Sequence, residues 1–359
     1  MTTTSQPHHF DLDYIEVYVS DLEFSLSTWC DQYGFERVAV GGSLEEGCRS
    51  VVVRRGEMSL VLTEAVSLDH PAATYIKAHG DGVVDIAMRT NDVQATYDAV
   101  VTGGGTGLVE PWRPDSGDVS AVARVAGFGD VVHTLVQRGQ GTAGIPVGYT
   151  PVEHGPVAES SYEVLTADHF AVIVPVDRLD PTIDMYCRAF GFDEIFAERI
   201  VIGKQVMNSK VVQSISGTVT LTIISPDLEA TQTGQIDDFI NNHGGAGVQH
   251  IALSVDDVLR ATSELSDQGV EFLTTPGAYY DHLSERISEP KHATHRLREL
   301  NILVDEDHGG QMFQIFTRTI HPRRTLFFEI IERRGARTFG SANIKALYEA
   351  VEVERVASP

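Results

Sequence analysis

The amino-acid sequence predicts an α+β protein of two tandem domains, each a curved, barrel-like sheet with helices on its outside. Three observations lead to this prediction. At 359 residues the chain is too long for one small core, so two domains are the expected number. A strand followed by a helix and further strands recurs four times, and internal repetition of this kind is typical of a duplicated fold. The segment 139–160, rich in Gly, Pro, Thr and Ser, separates the four copies into two pairs, as a linker would.

Each of the four copies begins with a strand and continues with a helix. The strands are short runs of alternating or β-branched residues, and the helices have a helical spacing of apolar residues. A Gly-Phe pair ends the helix in two of the copies, at Gly34 and at Gly191. The predicted strands are 12–20, 82–88, 167–175 and 247–253, and the predicted helices are 21–33, 93–101, 181–190 and 258–268.

The offsets between the copies assign two of them to each half of the chain. Tyr14 lies 155 residues before His169, and Asp85 lies 165 residues before His250. Because the two offsets are similar, the halves resemble each other, and each contains two βαβββ-like modules. We therefore interpret the chain as an internal duplication.

The closing strands of the two halves are also matched by their sequences. Residues 131–138 are aligned with 311–318, which makes Thr134 the counterpart of Gln314. The linker then fixes the domain boundaries. The predicted divisions are a disordered tail at 1–9, a first domain at 10–140, a linker at 141–160 and a second domain at 161–359.

The last predicted strand contains a carboxylate. Residues 325–333 are a run of aromatic and β-branched residues interrupted by Glu329, and a buried carboxylate is costly unless it is paired or binds a metal. A helix is predicted at 339–349, with Ser341 or Asn343 as its N-cap. Its apolar residues fall on one face, and they are Ile344, Leu347, Tyr348 and Val351. The chain thus ends with a charged group in an apolar strand and a helix able to lie over it.

The composition argues against several classes of function. A formal net charge of −24, with no basic cluster, argues against binding to nucleic acid or to anionic membrane surfaces. Three cysteines without CxxC spacing form neither a disulfide framework nor a thiolate metal site. No apolar run approaches the roughly 20 residues that span a membrane, and no leader of charged and then apolar residues precedes Phe10. We therefore expect a soluble, cytoplasmic protein.

The two halves differ at positions that matter for chemistry. The second half has His169 and His250 where the first half has Tyr14 and Asp85. The duplication would bring the two histidines to one site across a sheet, and Glu329 on the last strand would be the third point. Two histidines and one carboxylate, with three positions left open, are the arrangement used in non-haem Fe(II) and O2 chemistry.

Ordinary structural roles are the alternative for each of these residues. A histidine in an apolar strand is commonly a hydrogen-bonded core residue, and Glu329 could instead pair with Arg323, Arg324 or Arg333. The coincidence of two repeat-equivalent histidines with a buried carboxylate favours the metal hypothesis. The remaining histidines are weaker candidates: His133 has no partners in the first half, His292 and His295 lie in a polar stretch expected at the surface, and His308 lies in a turn.

Five motifs in the second half form a specific set. They are DHF at 168–170, GGAGVQHIA at 244–252, TPGAYYD at 275–281, QIFT at 314–317 and FFEII at 327–331. With these motifs the chain, from Phe10 to Arg355, resembles the 4-hydroxyphenylpyruvate dioxygenase family of the vicinal oxygen chelate superfamily. The resemblance implies two tandem domains of that superfamily, the first of them a copy without metal.

The resemblance also implies a cofactor, a substrate and a set of site residues. Fe(II) would be bound by His169, His250 and Glu329, with 4-hydroxyphenylpyruvate as the α-keto acid that chelates the iron and O2 as co-substrate. Polar groups of Ser209, Gln249 and Gln314 would receive the phenol or the keto acid, although Ser209 could also be a strand-end hydroxyl. The implied substrate pocket consists of Ser209, Thr222, Ile224, Gln249, Gln314, Phe316, Phe328, Phe339, Ile344 and Tyr348.

Departures from the dioxygenase pattern bear on the product. The dioxygenases carry Pro and Asn where this chain has Thr222 and Ile224, a Phe at the position of Ile344 and usually another at Tyr348. At these positions the chain looks like the relatives that form 4-hydroxymandelate. Losing one aromatic contact removes about 0.5–1.5 kcal/mol of the attraction between the substrate ring and the pocket. The ring could then turn against its remaining wall, Phe316. The departures therefore favour hydroxylation of the benzylic carbon over formation of homogentisate.

Other functions stay open on the sequence alone. The nearest is a dioxygenase of the same family that forms homogentisate. More distant alternatives are a metal-free small-molecule-binding protein of the same fold and a lyase or isomerase, which would more often need four protein ligands. The oligomeric state is also open, with a homodimer as one option. By pathway analogy, the resemblance suggests supply of a 4-hydroxyphenylglycine precursor in antibiotic biosynthesis.

Overall fold

The protein is described by a computed structural model that covers residues 9–115, 117–139, 144–153, 160–202, 205–230, 232–287, 289–340 and 343. The first half consists, in chain order, of β1 (Asp11–Tyr18), α1 (Leu22–Leu26), a π-helical turn (Ser27–Gln32), β2 (Glu36–Gly41), β3 (Cys48–Arg55), β4 (Met58–Ala65), α2 (Pro71–His79), β5 (Gly82–Arg89), α3 (Val93–Thr102), β6 (Gly107–Trp112), β7 (Val119–Ala126), β8 (Val132–Arg138) and β9 (Thr150–Pro151). The second half consists of β10 (Val164–Ile173), a 3-10 turn (Val176–Arg178), α4 (Leu179–Met185), a π-helical turn (Tyr186–Phe190), β11 (Asp193–Ile202), β12 (Gln205–Gln213), β13 (Thr220–Pro226), α5 (Gln235–His243), β14 (Gly247–Val255), α6 (Val258–Asp267), α7 (Gly277–Asp281), a 3-10 turn (Leu283–Glu285), α8 (Thr294–Glu299), β15 (Leu303–Asp307), β16 (Gly310–Phe316) and β17 (Phe327–Arg334).

Three of the four helices that follow the first strand of a module, α1, α3 and α6, begin where the sequence provides a capping side chain. The carboxylates of Asp21, Asp92 and Asp257 each accept a hydrogen bond from the backbone N–H three residues later, at 2.9, 3.0 and 3.0 Å. Each bond satisfies a backbone donor that a helix start leaves without a partner. Among the described residues, no helix combines the length and the apolar character that crossing a membrane requires.

The strands form one curved sheet in each half, and the predicted α+β fold of two tandem domains is confirmed. The first sheet has the strand order β6-β7-β8-β5-β1-β4-β3-β2-β9, and the second has the order β11-β12-β13-β10-β14-β17-β16-β15. In both sheets the central strand, β1 or β10, pairs parallel with β4 or β13 and antiparallel with β5 or β14. Because the two orders match when one is reversed, each strand from β1 to β8 has a counterpart between β10 and β17.

The predicted match of the closing strands is wrong. β8 pairs parallel with β5, as β17 pairs parallel with β14, so residues 131–138 correspond to the last strand and not to 311–318. The register makes Thr134 the counterpart of Glu329, because Thr134 falls opposite Ala87 and Glu329 lies opposite Ala252, and these two alanines are themselves counterparts. β7 is the counterpart of β16, and Gln314 therefore has its mate on β7.

Each half packs its first helical segment against the sheet of the other half. Trp29 packs against Phe328 on β17, and Tyr186 packs against His133 on β8. His133 is fully buried, with Nδ1 2.9 Å from the backbone oxygen of Ile86 and Nε2 2.6 Å from the hydroxyl of Tyr186. The sequence did not supply partners for this histidine, and the second one comes from the other half of the chain. The main hydrophobic core is thus shared between the halves.

The predicted linker at 141–160 contains ordered structure. Residues 150–151 form β9, which pairs with β2 at the edge of the first sheet, and the side chains of Ile145, Val147 and Tyr149 pack against an apolar cluster of that sheet. At the ends of the chain, positions 1–8 of the predicted tail lie outside the described residues. Most of the predicted C-terminal helix does so as well, including Ser341, Ile344 and Tyr348, whereas Asn343 is described and buried.

Candidate metal centre

Three neighbouring strands bring the two histidines and the glutamate together. On the inner face of the second sheet, His169 of β10 lies opposite Ala252 of β14, which lies opposite Glu329 of β17. His250 lies two residues before Ala252 and therefore faces the same side of β14. The small Ala252 between the two outer strands leaves room for the longer side chains to converge.

The ligand atoms of these three residues form a compact group. Nε2 of His169 lies 3.4 Å, and Nε2 of His250 lies 3.3 Å, from Oε2 of Glu329. All three ligand atoms lie within 4.8 Å of one another, and all three residues are buried. Within the described ranges this is the one group of three or more His, Cys, Asp or Glu side chains that converges in this way. Two of the arginines that could instead pair with Glu329 have other partners: Arg333 binds Asp168, and Arg323 donates to the backbone oxygens of Lys77 and Ala78.

His169 is oriented by its neighbour in the chain. Its Nδ1 lies 2.8 Å from the carboxylate of Asp168, so Nδ1–H donates and Nε2 is left free to face Glu329. Asp168 is held by Arg333 through two bonds of 2.6 and 2.8 Å. The equivalent positions of the first sheet carry the same ion pair, between Asp13 and Arg138, which marks it as part of the duplicated fold.

Electrostatics favours an ionised carboxylate at this centre. Burial raises the pKa of Glu329, but the two imidazoles outweigh burial and hold that pKa at about 2. Burial lowers the pKa of His250. For His169, burial is outweighed by Glu329 and Asp168, which raise its pKa to about 9. A divalent cation placed among the three side chains would take over the role of the His169 proton as the charge that balances Glu329.

The donor set and its spacing fit a divalent transition metal. Two imidazole nitrogens and one carboxylate oxygen suit Fe(II), and a set of three protein ligands leaves coordination positions open for other molecules. Oε1 of Glu329 accepts a hydrogen bond of 2.8 Å from Nε2 of Gln314, so the carboxylate turns Oε2 towards the histidines. His169, His250 and Glu329 could therefore hold the metal, with Gln314 behind them.

Aromatic rings surround the imidazoles. Phe339 meets His169 edge-on with ring centroids 5.3 Å apart, and Phe316 meets His250 edge-on at 5.9 Å. Phe327, which the sequence did not single out, stacks on His250 at 4.9 Å and 29°. Phe327 lies two residues before Glu329, and the two-residue period of a strand could have placed it on the face of the site.

Phe328 does not line this site. It lies on the other face of β17, where its ring packs against Trp29 and Tyr33 of the first half, with centroids 4.7 and 5.7 Å apart. Its predicted role as a pocket residue is therefore wrong. The physical reason is strand alternation, which turns neighbouring side chains to opposite faces of the sheet.

Other predicted pocket residues lie on the inner face of the same sheet. Thr222 is paired with Ala171, which is itself paired with His250, so Thr222 belongs to the row of His250. Ile224 lies two residues after Thr222 on β13, roughly 7 Å further along the strand, and Ser209 of β12 is paired with Ile224. Ser209, Thr222 and Ile224 are buried, and Oγ1 of Thr222 has no hydrogen-bond partner in the described part of the chain.

Gln249 lies at an irregularity of β14. Ala171 and Val172 of β10 lie opposite His250 and Val248, which leaves Gln249 as an extra residue between them. Such a bulge re-aims side chains and is frequent beside active sites. Two further predicted pocket residues, Ile344 and Tyr348, lie outside the described residues.

The matching place in the first sheet has a different chemistry. Tyr14, Asp85 and Thr134 occupy the positions of His169, His250 and Glu329. The backbone N–H of Thr134 donates to Oδ1 of Asp85 at 2.9 Å, and its hydroxyl donates to Oδ2. Burial raises the pKa of Asp85 to about 7. These three side chains offer no imidazole, and two of them already satisfy each other.

Comparisons with known proteins agree with the duplication. The family model described as "Glyoxalase/Bleomycin resistance protein/Dioxygenase superfamily" matches residues 11–130 and 166–315, one segment in each half. The 4-hydroxyphenylpyruvate dioxygenase of Aspergillus fumigatus is 32% identical over 374 residues, covering 96% of this chain and 92% of the relative. The enzyme of the same name from Danio rerio is 32% identical over 360 residues, covering 96% of this chain and 90% of the relative.

Solved structures give a similar result. A triple mutant of 4-hydroxymandelate synthase from Streptomyces coelicolor superposes with a TM-score of 0.86 at 40% identity, covering 98% of this chain and 100% of that chain. A fusion of a xylose isomerase-like TIM barrel with 4-hydroxyphenylpyruvate dioxygenase superposes with a TM-score of 0.74 at 24% identity. It covers 97% of this chain and 53% of that chain, and this second likeness concerns the fold alone.

Proposed function

Because the chain belongs to the glyoxalase/bleomycin resistance protein/dioxygenase superfamily, and within it to the 4-hydroxyphenylpyruvate dioxygenase family, we propose that it is an Fe(II)-dependent dioxygenase that forms 4-hydroxymandelate. The reaction converts 4-hydroxyphenylpyruvate and O2 to 4-hydroxymandelate and CO2. One oxygen atom enters the carboxylate that forms as CO2 leaves, and the other enters the benzylic carbon. The observation that carries the proposal is the convergence of His169, His250 and Glu329.

The three ligands have a defined task in this proposal. Bound Fe(II) would supply the open coordination positions and the electrons that allow O2 to react with the keto acid. His169, held by Asp168, and His250, stacked on Phe327, offer their Nε2 atoms from fixed directions. Glu329 offers Oε2 and balances the charge of the cation.

The pocket walls orient the substrate and exclude water. Phe316, Phe327 and Phe339 surround the imidazoles with apolar surface, so a substrate ring is bound by burial and ring contacts rather than by hydrogen bonds. Ser209 and Thr222 offer hydroxyls on the same face of the sheet, where the phenol or the keto acid can be bound. Such fixed positioning matters because small displacements of a reacting atom change rates by orders of magnitude.

The choice of product rests on residues that shape the far side of the pocket. Ile224 packs in an apolar cluster with Ile173 and Ile200, which gives that side a smooth aliphatic surface without an amide. Ile344, outside the described residues, stands where the homogentisate-forming enzymes carry a Phe. With less aromatic contact the ring can turn its benzylic carbon towards the oxidant. The 40% identity to a 4-hydroxymandelate synthase supports this choice.

Formation of homogentisate is the second candidate function. It is favoured by the curated relatives, several of which carry the name 4-hydroxyphenylpyruvate dioxygenase at 30–32% identity. The two candidates share the metal centre, the substrate and the loss of CO2. They differ in whether the second oxygen atom enters the benzylic carbon or the ring.

The decisive experiment identifies the product. The protein is loaded anaerobically with Fe(II), mixed with 4-hydroxyphenylpyruvate and then with O2, and the products are identified by mass and chromatography. We expect 4-hydroxymandelate with one CO2 released per O2 consumed, and no turnover in a parallel sample loaded with Zn(II). Homogentisate would keep the metal centre and overturn the choice of product. Absence of O2 uptake by the Fe(II)-loaded protein would overturn the enzyme proposal.

A further inference from the structure

A chain of hydrogen bonds runs outward from Glu329 to a tyrosine on α7. Nε2 of Gln314 donates to Oε1 of Glu329 at 2.8 Å, and Nδ2 of Asn343 donates to Oε1 of Gln314 at 2.9 Å. The hydroxyl of Tyr279 lies 2.8 Å from Oδ1 of Asn343. Glu329, Gln314 and Asn343 are buried, with exposed fractions of 1%, 3% and 0%. The amide of Gln314, predicted to face the substrate, thus has protein partners for both its polar atoms.

The direction of this chain is set at both ends. The hydroxyl oxygen of Tyr279 accepts the backbone N–H of Val304 at 2.9 Å, so its own proton is available for an acceptor. Both Oδ1 of Asn343 and the backbone oxygen of Val304 lie 2.8 Å from it. At the other end, a carboxylate oxygen, Oε1 of Glu329, faces Nε2 of Gln314 and can only accept, so the amide of Gln314 donates there. If the amide of Asn343 were inverted, its Oδ1 would face Oε1 of Gln314, and two acceptors would meet. The side-chain amides of Gln314 and Asn343 therefore each have one orientation that gives every polar atom a partner.

We propose that Tyr279 is a positioning residue that acts through Asn343 and Gln314 to keep Glu329 a monodentate ligand. This inference rests on the proposed function, because it concerns the metal that Glu329 would bind. With an N–H donor fixed on Oε1, only Oε2 is directed at the centre between the histidines. One carboxylate oxygen and two imidazoles leave three positions of an octahedral centre open.

The number of open positions is what the reaction needs. A keto acid that chelates through its carboxylate and its keto oxygen uses two positions, and O2 needs the third. If this row of hydrogen bonds were broken, Glu329 could turn Oε1 towards the metal and occupy one of the open positions. Loss of the chain should therefore weaken keto-acid chelation while the metal itself stays bound. If the residue had only a structural role, its substitution would instead weaken metal binding and keto-acid chelation together.

The test compares two adjacent tyrosines. Tyr279→Phe removes the hydroxyl that binds Asn343. The matched control is Tyr280→Phe, because Tyr280 lies on the same short helix and donates to the backbone oxygen of Ile302 at 3.1 Å, away from the chain. Two quantities are measured anaerobically, the Kd for Fe(II) and the Kd for 4-hydroxyphenylpyruvate on the Fe(II)-loaded protein. The visible absorption of the Fe(II)–keto-acid chelate reports the second.

We expect Tyr279→Phe to keep the Kd for Fe(II) within about twofold of wild type, because the three ligands stay in place. The Kd for the keto acid should rise on the order of tenfold, the upper range for the loss of one hydrogen bond. Tyr280→Phe should match wild type in both. A second variant, Asn343→Asp, places a carboxylate oxygen against Oε1 of Gln314 and should weaken chelation further. If wild type, Tyr279→Phe and Asn343→Asp all bound the keto acid equally well, this inference would be overturned and the proposed function would stand. A wild-type protein that formed no Fe(II)–keto-acid chelate would overturn the proposed function.

Discussion

Phe328 meets Trp29 edge-on, with ring centroids 4.7 Å apart and ring planes at 74°, and so joins the last strand of the second sheet to the first helical segment of the chain. Its counterpart in the duplication is the contact of His133 with Tyr186, at 5.7 Å and 69°. The same place on each sheet is therefore used to bind the other half. Since Glu329 follows Phe328 directly, the interface and the candidate metal centre lie on opposite faces of one strand.

The first prediction concerns this interface. Phe328→Ala should lower the free energy of unfolding by about 3–5 kcal/mol, because a buried ring is removed and a cavity is left. The ratio of products formed by the folded variant should stay that of wild type, because Phe328 has no contact with the site. Urea unfolding and product analysis measure the two effects. A changed product ratio at unchanged stability would contradict this placement of Phe328.

The second prediction concerns the pH dependence of stability. Burial lowers the pKa of His133 from 6.5 to about 4. Between these two values the unfolded chain binds more protons at this residue than the folded protein, so stability is complete above pH 6.5 and is lost as the pH falls towards 4. The shift corresponds to about 3 kcal/mol.

A variant isolates this contribution. His133→Gln cannot titrate, so its free energy of unfolding should fall less steeply than that of wild type between pH 6.5 and 4. His243, whose pKa burial also lowers, stays in both proteins and cancels in the comparison. Substitution of the exposed His295 by Gln is the control for a change from His to Gln outside the core. Parallel slopes for wild type and His133→Gln would show that His133 is not buried in its neutral form.

Much of the site could be predicted from the sequence because the duplication fixes equivalent positions. Tyr14 and His169 do occupy the same place, each opposite an alanine of the neighbouring strand. Strand alternation around Glu329 would also have placed Phe327 at the site and Phe328 away from it. The sequence motif contains both phenylalanines, and a motif does not say which face each one takes.

Other features depend on which strands become neighbours in space. The segments 131–138 and 311–318 have similar patterns, and only the sheet order separates them. For the same reason the hydrogen-bonded chain beyond Gln314 could not be predicted, since Tyr279 and Asn343 lie 64 residues apart. The ion pair that recurs in both halves could have been predicted in part, because an aspartate directly precedes both Tyr14 and His169.

The third prediction tests the metal ligands. Glu329→Ala should lose Fe(II) and turnover together, because only two neutral imidazoles remain, and the loss should exceed the roughly 10- to 100-fold effect of outer-shell changes. Glu332→Ala is the control. Glu332 is equally buried but lies on the other face of β17, where it binds His292 at 2.9 Å and the backbone N–H of Val258 at 2.8 Å. Iron retained after anaerobic gel filtration, together with O2 uptake, is measured. A Glu329→Ala variant that retained full iron content and full activity would show that Glu329 is not a metal ligand.

The fourth prediction uses the buried hydroxyl of Thr222. Its Oγ1 has no hydrogen-bond partner among the described residues, and such a group costs about 1–3 kcal/mol unless a ligand satisfies it. Thr222→Val should therefore raise the free energy of unfolding of the ligand-free protein. If the hydroxyl binds the substrate, the same change should weaken 4-hydroxyphenylpyruvate binding by roughly 2- to 12-fold, the equivalent of one neutral hydrogen bond.

A second threonine separates the two effects. Oγ1 of Thr262, on α6, is also buried and has no partner in the described part of the chain, but it lies away from the three ligands. Thr262→Val should stabilise the protein and leave substrate affinity as it is in wild type. Thermal unfolding of the ligand-free proteins and anaerobic substrate titration of the Fe(II)-loaded proteins give the two readouts. If both valine variants are stabilised and both bind substrate like wild type, the hydroxyl of Thr222 has no part in recognition, and its burial reflects sheet packing alone.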